Sequence, residues 1–425
     1  MSRKSLFIPF VLILLAALVA CGGGGETPAT HGQPTTAAQP TTEVAEATTE
    51  PAAPTTEPAA TEAPPPATAE PTAEPLPTAA VLCPDVARPA LVVGDGPAFD
   101  AVDPTAGARC RLPLPDGAAY VQPAGDAVYY VQFDHDGGSS AVYRLDGDGH
   151  TTPLETTRVT NDVHYLLRFA VSGDGGRLAW SQMRPQDDPS ATSLLGSLWI
   201  GDAESGPVTI FTDMPGVEMR IVAPIRFSAD GQTLFFSWEP IGLGGAWMAF
   251  NGRYDNLWRV PAAGGEPQKV FDCVDLELFL CLGDFRDDGT LAYIDNDLTI
   301  HVNGPDGAEL AAIPTSGDYA GYPTFSPAGD LYYSEADLVE SLEMLPLPDP
   351  GTIYRVAAPY TAAPQVVASG PGLLLSAMRD VFLDAERVVV NISEGDQWGM
   401  GLLDSTGAIK PIEPWPNAYP AAIWR

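Results

Sequence analysis

Apolar and polar positions alternate along this chain in short bursts, each broken by a polar turn that usually carries Gly. The pattern is sharpest at Phe227-Ser228-Ala229-Asp230-Gly231-Gln232-Thr233-Leu234-Phe235-Phe236, where an incoming strand meets a tight turn and an apolar strand leaves it. The same order returns at Ala124-Gly125-Asp126-Ala127-Val128-Tyr129-Tyr130, at Val171-Ser172-Gly173-Asp174-Gly175-Gly176-Arg177-Leu178-Ala179-Trp180 and at Phe285-Arg286-Asp287-Asp288-Gly289-Thr290-Leu291-Ala292-Tyr293. Phe325-Ser326-Pro327-Ala328-Gly329-Asp330-Leu331-Tyr332-Tyr333 is a further copy, and Phe382 to Val390 a degenerate one. After each node comes a second apolar strand, as in Val142-Tyr143-Arg144-Leu145, Leu198-Trp199-Ile200, Leu257-Trp258-Arg259-Val260 and Ile353-Tyr354-Arg355-Val356. Gly-rich turns such as Ala263-Gly264-Gly265-Glu266 then lead to a last strand, Gln268-Lys269-Val270-Phe271 in that copy. Four short strands per unit, recurring every 40 to 60 residues or roughly so, match the blade of a β-propeller with loop insertions.

The ends of the repeat region bear on the blade count. Ala90-Leu91-Val92-Val93 followed by Phe99-Asp100-Ala101-Val102 reads as a blade without its first strand. Tyr419-Pro420-Ala421-Ala422-Ile423-Trp424-Arg425 resembles Tyr322-Pro323-Thr324-Phe325, which leads into a node. The late segment is therefore expected to complete the first blade and close the ring. The fold class is all-β, a propeller of about seven four-stranded blades; the degenerate copies leave six or eight open.

The turn resembles the WD40-like (PD40-type) repeats of TolB-type propellers, whose signature is near Phe-Ser-Pro-Asp-Gly before an apolar strand. The resemblance runs from about Leu82 to Arg425. It implies that Asp and Gly shape the turn between the first two strands, a role carried to Asp174, to Asp230 with Gly231, and to Asp288 with Gly289. Ala328-Gly329-Asp330 departs by shuffling the order, and the copy near Asp384 by lacking Gly. Such a motif specifies fold and says little of function, and a place in an envelope complex is what the likeness to TolB implies.

Ahead of the repeats the pattern changes twice. Arg3 and Lys4 precede an apolar run from Leu6 to Ala20, about 15 residues and shorter than a membrane span of about 20. The run ends in Leu18-Val19-Ala20-Cys21, which resembles the lipobox of bacterial lipoproteins. The resemblance implies that Cys21 takes diacylglycerol on its sulfur and becomes the first residue after cleavage, giving an exported protein held on the extracytoplasmic face by lipid alone. Gly22 rather than Asp follows it, which by the same resemblance permits outer-membrane sorting if the host has two membranes. Residues 22–80 are Thr, Pro, Ala, Glu and Gly with almost nothing to bury, as in the repeated Thr48-Thr49-Glu50-Pro51 and Thr55-Thr56-Glu57-Pro58. A segment of this kind cannot offset its ordering entropy and reads as a disordered stalk. The expected organisation is a signal at 1–21, a stalk at 22–80 and a propeller at 81–425.

Charge removes some partners. With 21 Lys and Arg against 55 Asp and Glu, the net charge of -34 argues against nucleic acid and against anionic lipid headgroups. Cysteine usage fits export: besides Cys21 there are four, Cys83, Cys110, Cys273 and Cys281, expected to pair as Cys83 with Cys110 and Cys273 with Cys281, with four free buried thiols as the alternative. No cofactor is expected. Asp134 with Asp136 and Asp146 with Asp148 resemble the first ligands of calcium loops, yet neither pair continues to the twelfth-position Glu, and Asp-Gly is also hairpin-turn chemistry.

Catalytic motifs are missing: there is no Gly-x-Ser-x-Gly elbow, no His-Glu-x-x-His and no phosphate loop. Ser172 to Gly176 superficially resembles the Asp-box of sialidases, but Trp180 stands one residue late for it. Aromatic residues in the insertions are the candidates for partner binding: Trp238, Trp247 and Phe250 around a Gly-rich stretch, and Trp398. The alternative for each is packing between blades. The expectation is a non-catalytic envelope lipoprotein whose ring binds or scaffolds a protein or envelope glycan. The alternative is a carbohydrate-active hydrolase or lyase using acidic residues at the channel.

Overall fold

A computed structural model describes residues 82–95, 97–134, 138–160, 166–185, 194–202, 206–215, 220–240, 252–276, 280–339, 347–376, 378, 380–394, 397–413 and 419–425. The chain divides into two units, Met1–Glu74 and Pro75–Arg425, and the second holds every described residue. Cys21 and residues 22–80, read above as a stalk, lie outside the described residues.

Seven four-stranded antiparallel sheets form the ring, one per blade. The first holds β1 (Ala90–Asp95), β2 (Ala98–Val102) and β3 (Arg109–Arg111); the second β4 (Ala118–Ala124), β5 (Ala127–Asp134), β6 (Ser139–Leu145) and β7 (Thr151–Thr160). The third holds β8 (Leu166–Val171), β9 (Arg177–Pro185), β10 (Leu194–Asp202) and β11 (Val208–Pro215). The fourth holds β12 (Arg220–Phe227), β13 (Thr233–Pro240), β14 (Asn256–Pro261) and β15 (Gln268–Asp272), followed by a 3-10 turn at Cys273–Leu276. β16 (Leu282–Phe285), β17 (Leu291–Ile294), β18 (Ile300–Asn303) and β19 (Glu309–Ile313) make the fifth. β20 (Tyr319–Phe325), β21 (Leu331–Val339), β22 (Leu347–Val356) and β23 (Gln365–Gly370) make the sixth. The seventh is β24 (Leu374–Leu375), β25 (Val388–Glu394), β26 (Gln397–Leu403) and β27 (Ile409–Pro411). The final strand, β28 (Tyr419–Trp424), joins the first blade. It runs antiparallel to β1 with Ala90 opposite Trp424 and Leu91 opposite Ile423. The likeness of residues 419–425 to a blade entry is thus realised as ring closure.

The core is a circle of seven layers, one between each pair of adjacent blades. Side-chain alternation explains this: along β1, Ala90 and Val92 pack toward the second blade, while Leu91 and Val93 pack toward the seventh. All four are fully buried, so a strand in this place must be apolar on both faces.

The turn chemistry is local and repeats atom for atom. Ser172 Oγ donates to Asp174 Oδ1 at 2.6 Å and accepts Arg177 N–H at 2.8 Å, while Asp174 Oδ1 accepts Gly176 N–H at 2.9 Å. Ser228, Asp230, Thr233 and Gln232 repeat this network. Gly175 and Gly231 follow with φ of 73° and 67°, where a Cβ would be strained. The Ser hydroxyl bonds hold both Asp carboxyls below their ordinary range. In the shuffled copy, Asp330 instead binds Arg355 Nε at 2.8 Å and Ala358 N–H at 3.1 Å. Asp384, where Gly is missing, accepts Glu386 N–H and Arg387 N–H, both at 2.9 Å.

Candidate functional site

Because neighbouring strands alternate direction, the turns between first and second strands and between third and fourth strands share one end of the ring. The connections between second and third strands, and those between blades, share the other. At the first end the turns grip one another: Gly125 N–H donates to Gly173 O at 3.1 Å, and Ala229 N–H to Asp287 Oδ2 at 2.6 Å. Lys410 there bonds the carbonyls of Pro104 and Thr105 at 3.0 and 2.9 Å, joining the seventh blade to the first. At the second end the strands open into the long insertions, between Pro185 and Leu194, between Pro240 and Asn256, and between Val339 and Leu347.

Trp238 does not face solvent, and the partner-binding role given to it from sequence is corrected here. It is 7% exposed and lies in the layer between the third and fourth blades, its ring stacked on Phe211 at 6.0 Å. The cause is parity: Leu234, Phe236 and Trp238 are spaced by two, and all three pack in that layer. Trp247 and Phe250 lie outside the described residues. Trp398 pairs with Ser393 near the start of β26, at the insertion-bearing end.

Cys83 is bonded to Cys110, with Cα atoms 5.6 Å apart, tying the segment ahead of β1 to β3. Cys273 is bonded to Cys281, with Cα atoms 5.7 Å apart, in the layer between the fourth and fifth blades. Beside this second bridge a fully buried carboxylate, Asp255, accepts Leu280 N–H at 3.3 Å and pairs with Arg220 Nη2 at 2.5 Å. Burial pushes the Asp255 carboxyl up, against the pull of Arg220.

The two calcium-loop candidates stand at opposite ends of the second blade. Asp134 ends β5 on one side of the blade, and Asp136 lies outside the described residues. Asp146 and Asp148 sit beyond β6 at the opposite end. There Arg144 Nε holds Asp146 at 2.8 Å, and Asp148 accepts His150 N–H at 2.9 Å. A strand of this length separates Asp134 from Asp146 by about 20 Å. Among the described residues no three His, Cys, Asp or Glu converge as a metal site would need.

The lumen holds residues that the motif search passed over. Each blade presents one unpaired strand edge to the axis: β4, β8, β12, β16, β20, β24 or β28. Side chains lace these inner strands together. Gln122 Nε2 donates to Phe169 O at 3.0 Å, Arg226 Nη2 to Phe285 O at 3.0 Å, and Asp284 Oδ2 accepts Phe325 N–H at 2.8 Å. Burial raises the Asp284 carboxyl, with Arg253 pulling the other way.

Two inner strands carry the same bulge. In β4 it falls between Ala119 and Gln122, in β20 between Gly321 and Thr324, and its tyrosine has φ of 54° at Tyr120 and 53° at Tyr322. Each ring lies under a guanidinium: Arg168 is 4.1 Å from the Tyr120 centroid, and Arg253 is 5.3 Å from that of Tyr322. Arg253, at the close of the 241–251 insertion, reaches across the axis. Its Nη1 donates to Gly283 O at 3.0 Å in the fifth blade, its Nε to Met378 O at 2.7 Å and its Nη2 to Ser376 O at 2.9 Å in the seventh. The Tyr322 phenol is pushed up to about 12 by burial, and that of Tyr319 beside it well above its ordinary value for the same reason. This half of the lumen is filled. Tyr120, by contrast, is 43% exposed.

No family model matches the chain, and no curated protein matches it in sequence. Solved structures share its architecture. A prolyl endopeptidase superposes with a TM-score of 0.51 at 10% identity, over 78% of this chain and 50% of that one. An oligogalacturonate lyase from Vibrio parahaemolyticus gives 0.48 at 14% identity, over 77% and 88% of the two chains. A TolB-type structure from Agrobacterium tumefaciens gives 0.35 at 14%, over 64% and 92%. At such identities the likeness is one of fold.

Proposed function

We propose that this protein is a non-catalytic binding or scaffolding module of the cell envelope, anchored through a lipid on Cys21 and raised on the 22–80 stalk. It engages a protein or envelope glycan through one end of its ring. The observation that carries this reading is the asymmetry of the two ends. One is sealed by short turns bonded to each other, while strands of the third, fourth and sixth blades open into insertions at the other. A rigid ring with variable loops at one end is the arrangement that places recognition on loops.

The carboxylates support the same reading. Sugar hydrolysis uses two carboxyl groups free to act as acid and as base or nucleophile. Among the described residues, the buried carboxylates each hold structural partners. Asp100 holds Arg109 and Arg111, Asp103 accepts the N–H groups of Thr105 and Ala106, Asp255 holds Arg220, Asp284 holds Thr324 and Phe325, and Glu335 holds Ser316 N–H and Oγ.

The test is capture after mild crosslinking in intact cells of the host, with the full chain and with a variant whose residues 241–251 are replaced by a short Gly-Ser link. A dominant protein or glycan partner that is lost with the shortened loop supports the reading. A partner retained at full yield places recognition elsewhere. Turnover of an envelope glycan by the purified protein would overturn the non-catalytic assignment.

A further inference from the structure

We propose that the half of the lumen between the second and third blades is a binding site for a carboxylate, held by Arg168 over the face of Tyr120. Leu167 and Phe169 are buried and pack toward the second blade. Arg168 stands between them and so points the opposite way in the strand's alternation. It nevertheless lies over Tyr120 of the second blade, 4.1 Å from the ring centroid. The side chain reaches that ring around the free edge of β8, through the lumen. There its donors meet little: among the described residues its one hydrogen bond is a long one, 3.4 Å from Nη1 to Leu167 O.

Most guanidinium groups of this chain have a carboxylate at hand, and even Arg177, which holds none directly among the described residues, feels those of Asp174 and Asp230. With 55 acidic residues against 21 basic ones, carboxylate partners abound. Arg144, Arg184, Arg226, Arg355 and Arg387 each hold one. Arg168 has no ion-pair partner among the described residues. A guanidinium has five N–H groups in a planar fork and is never neutral, so donors left without protein acceptors are free to take an anion.

The matching tyrosine of the sixth blade, with a guanidinium from the fourth above it, shows what can fill such a place. Arg253, above Tyr322, has backbone carbonyls of the fifth and seventh blades on its Nε, Nη1 and Nη2. Beside Arg168 no such carbonyls arrive among the described residues. Tyr120 adds a second, independent mark. Its φ of 54° is strained for a residue with a Cβ, yet the side chain held by that strain is a large aromatic left 43% exposed.

The chemistry selects the ligand class. One fork fits the two oxygens of a carboxylate side by side. A dianion would meet a single positive charge inside a protein of net charge -34, which disfavours phosphate. The exposed Tyr120 ring offers a surface for the flat or C–H-rich body that bears the carboxylate. The site lies in the lumen, and its test uses small probes and substitutions at Arg168 and Tyr120, so it does not depend on the loop-bound partner.

The experiment is calorimetric titration of the full chain at low salt with two carboxylate probes, glucuronate and acetyl-diglycine, beside their neutral counterparts glucose and acetyl-diglycine amide. A carboxylate probe should bind where its neutral counterpart does not, and which probe binds distinguishes a sugar acid from a peptide terminus. Arg168→Gln should weaken that binding about tenfold or more, the loss of a charge-assisted hydrogen bond. Tyr120→Gly, which suits the positive φ, should weaken it too, while Tyr120→Phe keeps the ring and should bind as the parent does. Arg168→Lys keeps the charge without the fork and serves if Arg168→Gln fails to fold. Equal heats from carboxylate and neutral probes, or binding that survives loss of both the Arg168 charge and the Tyr120 ring, would overturn the proposal.

Discussion

Replacing Trp424 with alanine tests the closure of the ring. The side chain is 1% exposed and packs with Ala90, Val92, Val121 and Val128 in the layer between the first two blades. Its indole N–H donates to Gly125 O at 3.0 Å, and the Arg88 guanidinium lies 4.2 Å from its ring centroid. Truncating a buried aromatic costs about 3–5 kcal/mol in lost transfer energy and cavity. Loss of the cation–π contact adds about 1 kcal/mol. The lost indole bond adds little, because Gly125 O still accepts from Arg88 Nη1 at 2.8 Å. The sum is about 5 kcal/mol. With an unfolding entropy of about 2.1 cal/mol/K per residue over about 340 residues, Tm should fall by about 7 °C. Trp424→Phe keeps most of the buried surface and should fall by about 2 °C. Scanning calorimetry at a fixed scan rate measures both. A loss under about 2 °C for Trp424→Ala, or equal losses for the two variants, would refute the idea that this side chain clasps the first blade to the second.

Two further outcomes follow from single side chains. His301 stacks on Tyr293 at 4.9 Å, with Nδ1 2.8 Å from Glu309 Oε2 and Nε2 3.0 Å from Asp295 Oδ2. Burial opposes its charge, but the two carboxylates outweigh burial and raise its pKa. Its stabilisation is therefore complete below the unfolded value of about 6.5 and is lost as pH rises through the higher folded value. The stability gap between the parent and His301→Gln, from urea unfolding at several pH values, should hold steady from about pH 5 to 6.5 and then narrow; a gap that widens with pH contradicts the pairing. Ser181 Oγ donates to Val222 O at 2.7 Å, and Ser334 Oγ accepts Leu375 N–H at 2.7 Å, each across a blade boundary. Either alanine variant should lose about 1–3 kcal/mol, with Ser334→Ala the worse because a buried N–H is less tolerant of a missing partner than a carbonyl; calorimetry showing the reverse order would contradict this.

Much of the architecture was legible because its signals are local. The Ser172–Asp174 and Ser228–Asp230 networks close within six residues, so the turn chemistry is written out in the chain itself. Trp238 was legible too, by counting in twos from Leu234, but the Gly-rich stretch after it drew the reading toward a loop. Asp146 and Asp148 resembled calcium ligands by spacing alone, and in the fold they serve the turn after β6 by holding Arg144 and the His150 N–H. The lumen gave no signal. Tyr120 occupies a left-handed position normally marked by Gly or Asn, and its bulge is set by the register of β4 on β5. Arg253 acquires its partners from the fifth and seventh blades, more than 100 residues away in the latter case. No spacing rule reaches that far.

The pairing of β28 with β1 also sets a timetable for synthesis. β1 meets β2 at once, but its other neighbour is made roughly 330 residues later, so the longest-range contact of the ring is also its last. At ordinary translation rates of about 5–20 residues per second, some tens of seconds separate the two strands. Throughout that interval the far edge of Ala90–Asp95 is a bare template, and Leu91 and Val93 have no seventh blade to cover them. Until the ring closes, the segment 419–424 of a second chain can pair with that waiting edge in its place. Exchange of the last strand between two rings is therefore the misassembly that this topology leaves open.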